Sequence, residues 1–220
     1  MKLTTTALAF LKAGSLGLLI VLAGAGGLPA AAHPHAWIDV ESTVLLDGKG
    51  RIVAIEQQWL FDEFYTLFSL DTLKPTGDTD PRLTELARVN LGNLRDYDYF
   101  LEVRAGEGRV PLATVTEFDT ALRKGRLWLR FVVPLDRGVD PKKEAVSFSV
   151  FDPTYYIEMR HSKGAVIAFR GAGAKTCSGR IIPPNPPTEA VALAAALDRN
   201  AQADNTLGAL FAERVAVTCR

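Results

Sequence analysis

From His35 onward the chain alternates with a period of two. His35, Trp37, Asp39 and Glu41 fall on one side and Ala36, Ile38, Val40 and Ser42 on the other, the pattern of an extended strand with two distinct faces. Leu45-Leu46-Asp47-Gly48-Lys49-Gly50 predicts a turn, after which Arg51 to Phe61 sets Val53, Ile55, Trp59 and Phe61 on one face, so a hairpin is expected. Further short segments with strand character follow at 97–104, 110–117, 126–133, 145–151, 155–160 and 166–170, separated by clusters of Gly, Pro, Asp and Lys. Such spacing predicts an α+β chain, predominantly an antiparallel β-sandwich or bent sheet.

Two helices are expected between the hairpin and the later strands. Asp62 reads as the N-cap of the first, with Phe64, Leu67, Phe68 and Leu70 along the face that should cover the hairpin. Asp80-Pro81 opens the second, with Leu83, Leu86, Ala87 and Leu94 as its apolar stripe. Beyond Cys177 the proline-rich run Pro183-Pro184-Asn185-Pro186-Pro187 predicts a linker, and Thr188 to Leu197 an alanine-rich C-terminal helix, so 183–198 reads as an appendage to a single domain over 33–220. The apolar tail Leu207 to Thr218 should pack back on the sheet, because an exposed strand edge there would invite aggregation.

Ahead of the first strand, Lys2 and Lys12 precede an apolar run from Gly14 to Leu28 and then Ala30-Ala31-Ala32, the order of a signal peptide over 1–32 with its cut before His33. That run is shorter than the roughly 20 residues a spanning helix needs, so the mature protein is expected in the periplasm and not in the membrane. The chain balances 25 Lys+Arg against 25 Asp+Glu and presents no basic footprint for nucleic acid. Cys177 and Cys219, its only cysteines, are an even pair that an oxidising compartment would bridge.

The three histidines are the candidate metal ligands. Cleavage before His33 would give that residue an α-amino group beside its imidazole, and His35, two positions on in an extended chain, would project to the same side. Nickel, cobalt, zinc or copper would suit those nitrogens, while Pro34, lacking an N–H, excludes a square-planar site built on deprotonated amides. His161 is a candidate third arm. The bland alternative is a pair of polar residues on a frayed terminus.

Asp152, Tyr155 and Tyr156, in the string FDPTYY, read first as a structural corner and second as an interaction motif, and Asp62 with Glu63 offers adjacent carboxylates that helix capping already explains. Asp78, Asp80 and Glu85 do not match the spacing of a calcium-binding loop. Gly171-Ala172-Gly173 is followed by Thr176 where a dinucleotide fingerprint needs glycine. Ser162 beside His161 is not a triad, since catalytic serine and histidine are neighbours in space and not in sequence, and hydrolase chemistry has no local support.

The strings HPHAWID, QQWLFDEFY, FDPTYY and FAERVAVTC together resemble the bacterial family called domain of unknown function one-thousand-and-seven, whose members carry the label of an uncharacterised ABC-type transport system's periplasmic component. The resemblance implies an association with transition-metal transport and a membrane transporter as partner, with the terminal histidines mapping to His33 and His35. A two-lobed clamshell is not expected of a chain this short and strand-rich. The leading expectation is therefore a periplasmic accessory protein for transition-metal transport. The alternatives are a β-sandwich module that docks on a transporter without metal, and a copper-dependent oxidative enzyme with an N-terminal histidine brace.

Overall fold

The structure, a computed structural model, describes residues 34–197 and 206–220; the expected signal peptide and His33 lie outside them. Strands β1 (Ala36–Leu46) and β2 (Ile52–Phe61) form the expected antiparallel hairpin. Helices α1 (Glu63–Leu73) and α2 (Pro81–Leu94) follow, then a 3₁₀ segment and strands β3 (Leu101–Ala105), β4 (Gly108–Arg109), β5 (Glu117–Arg123), β6 (Arg126–Val139), β7 (Val146–Val150), β8 (Ile157–His161), β9 (Ala168–Gly171) and β10 (Cys177–Ile182). Helices α3 (Thr188–Ala196) and α4 (Leu207–Phe211) precede the last strand, β11 (Arg214–Cys219).

Two sheets result. One runs β5-β6-β2-β1-β8, with β9 also on β1; the other runs β10-β11-β7-β3-β4. All pairings are antiparallel except those of β1 with β8 and with β9. The inner faces share one apolar core, in which Val40, Val44, Ile55, Trp59, Phe131 and Val133 of the first sheet join Val103, Phe148 and Val215 of the second. This is the α+β architecture of mostly antiparallel sheets that the alternation predicts.

Several details depart from the sequence reading, among them 97–100, which lies in a 3₁₀ segment (Arg95–Phe100) and not in a strand. A register shift between Ile52 and Ala54 turns the start of β2, so fully buried Ile52 takes the core position expected of Val53. Helix α1 is capped by Asp62, but its apolar face points outward: Phe64, Leu67 and Phe68 are 80%, 64% and 76% exposed. The side facing the protein carries Thr66, which accepts the Leu127 N–H at 3.1 Å, and Tyr65, which stacks on Phe61 at 4.8 Å. Finally, 110–116 is not a continuous strand; Leu112 makes an isolated bridge to Leu135, and the Val115 N–H donates to the Tyr99 hydroxyl at 3.0 Å.

The C-terminal tail is structural. β11 lies between β10 and β7, and Cys177 and Cys219, opposite one another across β10 and β11, are disulfide-bonded. Among the described residues no helix is long and apolar enough to cross a membrane. A small second cluster gathers Ala190 and Ala194 of α3, Leu207 of α4 and Tyr155, so α3 packs with α4 against the FDPTYY corner.

Two stability outcomes follow. The disulfide closes a segment with a sequence separation of 42, and reduction should remove about 4 kcal/mol by the chain-entropy estimate, read as a lower melting temperature with reductant present. Gly208 donates its N–H to the Pro153 carbonyl at 2.8 Å, and a Cβ there would stand 1.8 Å from the Asp152 carbonyl oxygen. Gly208→Ala should therefore cost about 1–3 kcal/mol in urea unfolding, with α4 pushed off the FDPTYY corner.

Candidate functional site

The start of β1 is fastened on both sides. Trp37 donates its N–H to Asp62 Oδ2 at 2.9 Å and accepts the Asp62 N–H at 3.0 Å, while Asp62 Oδ1 caps α1 through the Tyr65 N–H at 2.9 Å. Both Asp62 oxygens are thus committed to backbone donors, and Glu63 is an exposed first-turn residue of α1. On the other side, His35 donates its backbone N–H to the Tyr156 carbonyl at 2.9 Å, and the two rings lie 4.7 Å apart. His35 is part-buried and Tyr156 41% exposed, so an imidazole stands beside a phenol at the rim of the sheet.

Behind that rim, FDPTYY forms a self-bonded corner. The buried Asp152 carboxylate accepts the Thr154 N–H at 2.9 Å, the Thr154 hydroxyl at 2.9 Å and the Ile157 N–H at 3.0 Å. Tyr155 takes a left-handed conformation, φ 58°, and stacks on Phe211 at 4.0 Å. Burial, and next the nearby Glu158, push its phenol pKa up. Asp152 and Tyr155 shape the turn that presents Tyr156 to His35.

His161 lies elsewhere. β8 runs parallel to β1 with His161 opposite Val40, five residues along from His35, or about 16 Å at 3.3 Å per residue. One ion cannot bridge that span, so His161 is not a third arm of a site at His35. Among the described residues no group of three or more His, Cys, Asp and Glu side chains is placed to hold a metal ion.

The partners of His161 are residues the sequence did not single out. Its ring Nδ1 lies 2.9 Å from Glu213 Oε2, which also accepts the His161 backbone N–H at 2.9 Å. Its Nε2 lies 3.1 Å from the Ser42 hydroxyl, which lies 3.3 Å from Gln57 Oε1. The His161 side chain is 4% exposed and Glu213, at the entrance to β11, 15%, so the chain of bonds ties the first sheet to the second. Burial alone would raise the Glu213 carboxyl pKa; hydrogen bonds from the His161 ring and backbone N–H, and the nearby Arg160, hold it below its ordinary value. No local signal in the sequence marks these partners, which stand 119 and 52 positions from His161.

A cavity of about 360 Å³ opens beside this chain, lined by Glu41, Ser42, His161 and Lys163 among others. It exists because β8 covers β1 only from Ala36 to Val40 and β9 only from Thr43 to Leu46, leaving the edge at Glu41 and Ser42 without a strand partner.

The outer face of the same sheet holds a second buried charge of a different kind. Glu56, 2% exposed, lies under Arg130 and Arg170, and Arg130 also meets Glu117 at 2.8 Å. Hydrogen bonds first to Glu117 and then to Glu56 raise the Arg130 pKa. This network neutralises a buried carboxylate.

A sandwich of this kind, with a polar chain between its sheets and a histidine at its rim, belongs to no class of enzyme or binder by fold alone. The family model described as "Protein of unknown function (DUF1007)" matches residues 18–219, and the chain belongs to that family. It is similar to an "Uncharacterized protein" of Haemophilus influenzae, 26% identical over 191 residues, covering 86% of this chain and 91% of that protein. It is also similar to an "Uncharacterized 15.5 kDa protein in trpE 3'region" of Spirochaeta aurantia, 32% identical over 92 residues, 41% of this chain and 64% of the relative. No solved structure matches.

The Glu213 bond predicts a pH dependence. Because the folded protein holds this carboxyl below its unfolded value of about 4.3, its stabilisation is complete above that value and is lost as pH falls below it. Glu213→Gln should lower stability at neutral pH, and the gap to the unmutated protein, measured by urea unfolding, should narrow steadily as the medium is acidified through the carboxylate range.

Proposed function

We propose that this protein is a periplasmic accessory protein that binds a transition-metal ion, nickel, cobalt, zinc or copper, at the start of β1 and exchanges it with a membrane transporter. The observation that carries this reading is the setting of His35. Its backbone is tied to β8 through Tyr156 and its ring is held beside the Tyr156 phenol, so one imidazole is pre-positioned at the rim. His33, two residues upstream, would add a second imidazole and, after a cut behind Ala32, an amine; neutral nitrogens of this kind suit these metals. The disulfide is consistent with a secreted or periplasmic protein, the compartment this reading requires.

A second reading is favoured by α1. Phe64, Leu67 and Phe68 form an exposed apolar strip on one helical face, and such a strip is the usual mark of a partner surface. In that case the chain docks on the transporter and carries no ion.

Mass spectrometry of the exported protein should find His33 at the amino terminus. Titration with copper, nickel and zinc should give binding tighter than millimolar, weakened about tenfold or more in His35→Ala without a matching loss of melting temperature. A mature chain that starts beyond His35, or binding no tighter than millimolar, would overturn the metal site and leave the docking reading in its place.

A further inference from the structure

We propose that Ser42, His161 and Glu213 form a serine-nucleophile site that cleaves small carboxylic esters, with the cavity beside Ser42 receiving the acyl group. The site is independent of the metal reading, since it shares no residue with it and lies further along β1, His161 standing opposite Val40.

Three observations converge. First, the distances are those of a nucleophile, a base and an orienting carboxylate: Ser42 Oγ to His161 Nε2 is 3.1 Å and His161 Nδ1 to Glu213 Oε2 is 2.9 Å. A carboxylate on Nδ1 keeps the proton there and leaves the Nε2 lone pair facing the serine. Second, Ser42 lies where β1 lacks a strand partner on one edge, and both Ser42 and His161 line the cavity that fills the gap. A serine and histidine serving only to join the sheets would need no such opening. Third, Gln57, opposite Ser42 in the register and fully buried, has no partner for its amide Nε2 among the described residues. Amide oxygen and nitrogen exchange places on a half-turn. Turned over, Gln57 donates to Ser42 Oγ and leaves the single hydroxyl proton to His161.

The chemistry balances with water as the only co-reactant. Ser42 Oγ bonds to the ester carbonyl carbon as its proton passes to His161 Nε2; the alkoxide departs, taking that proton, and an acyl-Ser42 ester remains. Water then attacks the acyl carbon, His161 accepts its proton, and the carboxylic acid leaves as Ser42 regains a proton. Among the described residues, Lys163 is the one basic side chain other than histidine that lines the cavity, which Glu41 also lines. Glu213 touches no substrate and is a positioning residue.

The test uses the exported full-length protein with a fluorophosphonate probe and with p-nitrophenyl acetate. One phosphonyl adduct per chain should form and map by peptide mass to Ser42. Ser42→Ala should take none and lose ester hydrolysis, while His161→Gln should slow labelling by about a hundredfold or more. Glu213→Gln should slow it too, and Glu213→Asp should restore part of the rate, a rescue that a purely structural contact would not give. Melting temperatures of all variants are measured alongside, and the labelling of the unmutated protein needs no variant to fold. Absence of an adduct on the unmutated protein, an adduct on another residue, or unchanged hydrolysis in Ser42→Ala overturns the proposal.

Discussion

The pairing of β1 along both edges is the interaction on which the rest of the molecule depends. On one side it runs antiparallel to β2 from Ile38 to Leu46; on the other it receives β8 and then β9 in parallel. A strand paired on both edges and buried on one face leaves few choices for its register, since a slip of one residue would expose Ile38, Val40 and Val44 together. That register carries His35 to the rim and Ser42 to the inner face. It also produces the gap at Glu41 and Ser42, because β8 and β9 are separate strands with a turn between them, closed by the Ala165 N–H on the Ser162 carbonyl.

Polar groups near the core are handled in two ways, and the contrast is informative. Glu56 is enclosed by arginines, and an enclosed carboxylate needs such partners to offset the loss of water around it. The Ser42, His161 and Glu213 chain is satisfied as well, but it runs in one line from hydroxyl to imidazole to carboxylate and borders a cavity. A charge-neutralising cluster explains itself through stability. The directional relay also joins the two sheets, but the opening beside it is not needed for that, which is the ground for proposing chemistry there.

The C-terminal third closes the structure. The disulfide locks β10 to β11, and β11 delivers Glu213 to His161 at its entrance. Nearby, Gly208 lets α4 approach the FDPTYY corner closely enough to bond it. One side of that corner holds Phe211 against Tyr155, and the other holds Tyr156 against His35. The rim at His35 thus depends on contacts made by residues near the end of the chain.

Much of the local structure is legible in the sequence, for identifiable reasons. The alternation around Val40 and Trp59 specifies strands, Asp62 and Asp80 specify helix starts, and a sequence with two cysteines leaves a single pairing. Local patterns fail where a neighbour elsewhere decides. The β2 register shift places Ile52 inward, and Tyr65 and Thr66 bind the sheet strongly enough to turn Phe64, Leu67 and Phe68 outward. His161 stands out in the sequence as one of three histidines, but its separation from His35 and its union with Ser42 and Glu213 do not. By itself the sequence determined the first hairpin, the starts of the two helices after it and the disulfide, because periodicity, capping and cysteine count act over short stretches or by simple enumeration. Only the tertiary structure decided which histidine meets which partner, because parallel pairing of β8 on β1 and the return of β11 join residues that no local spacing relates.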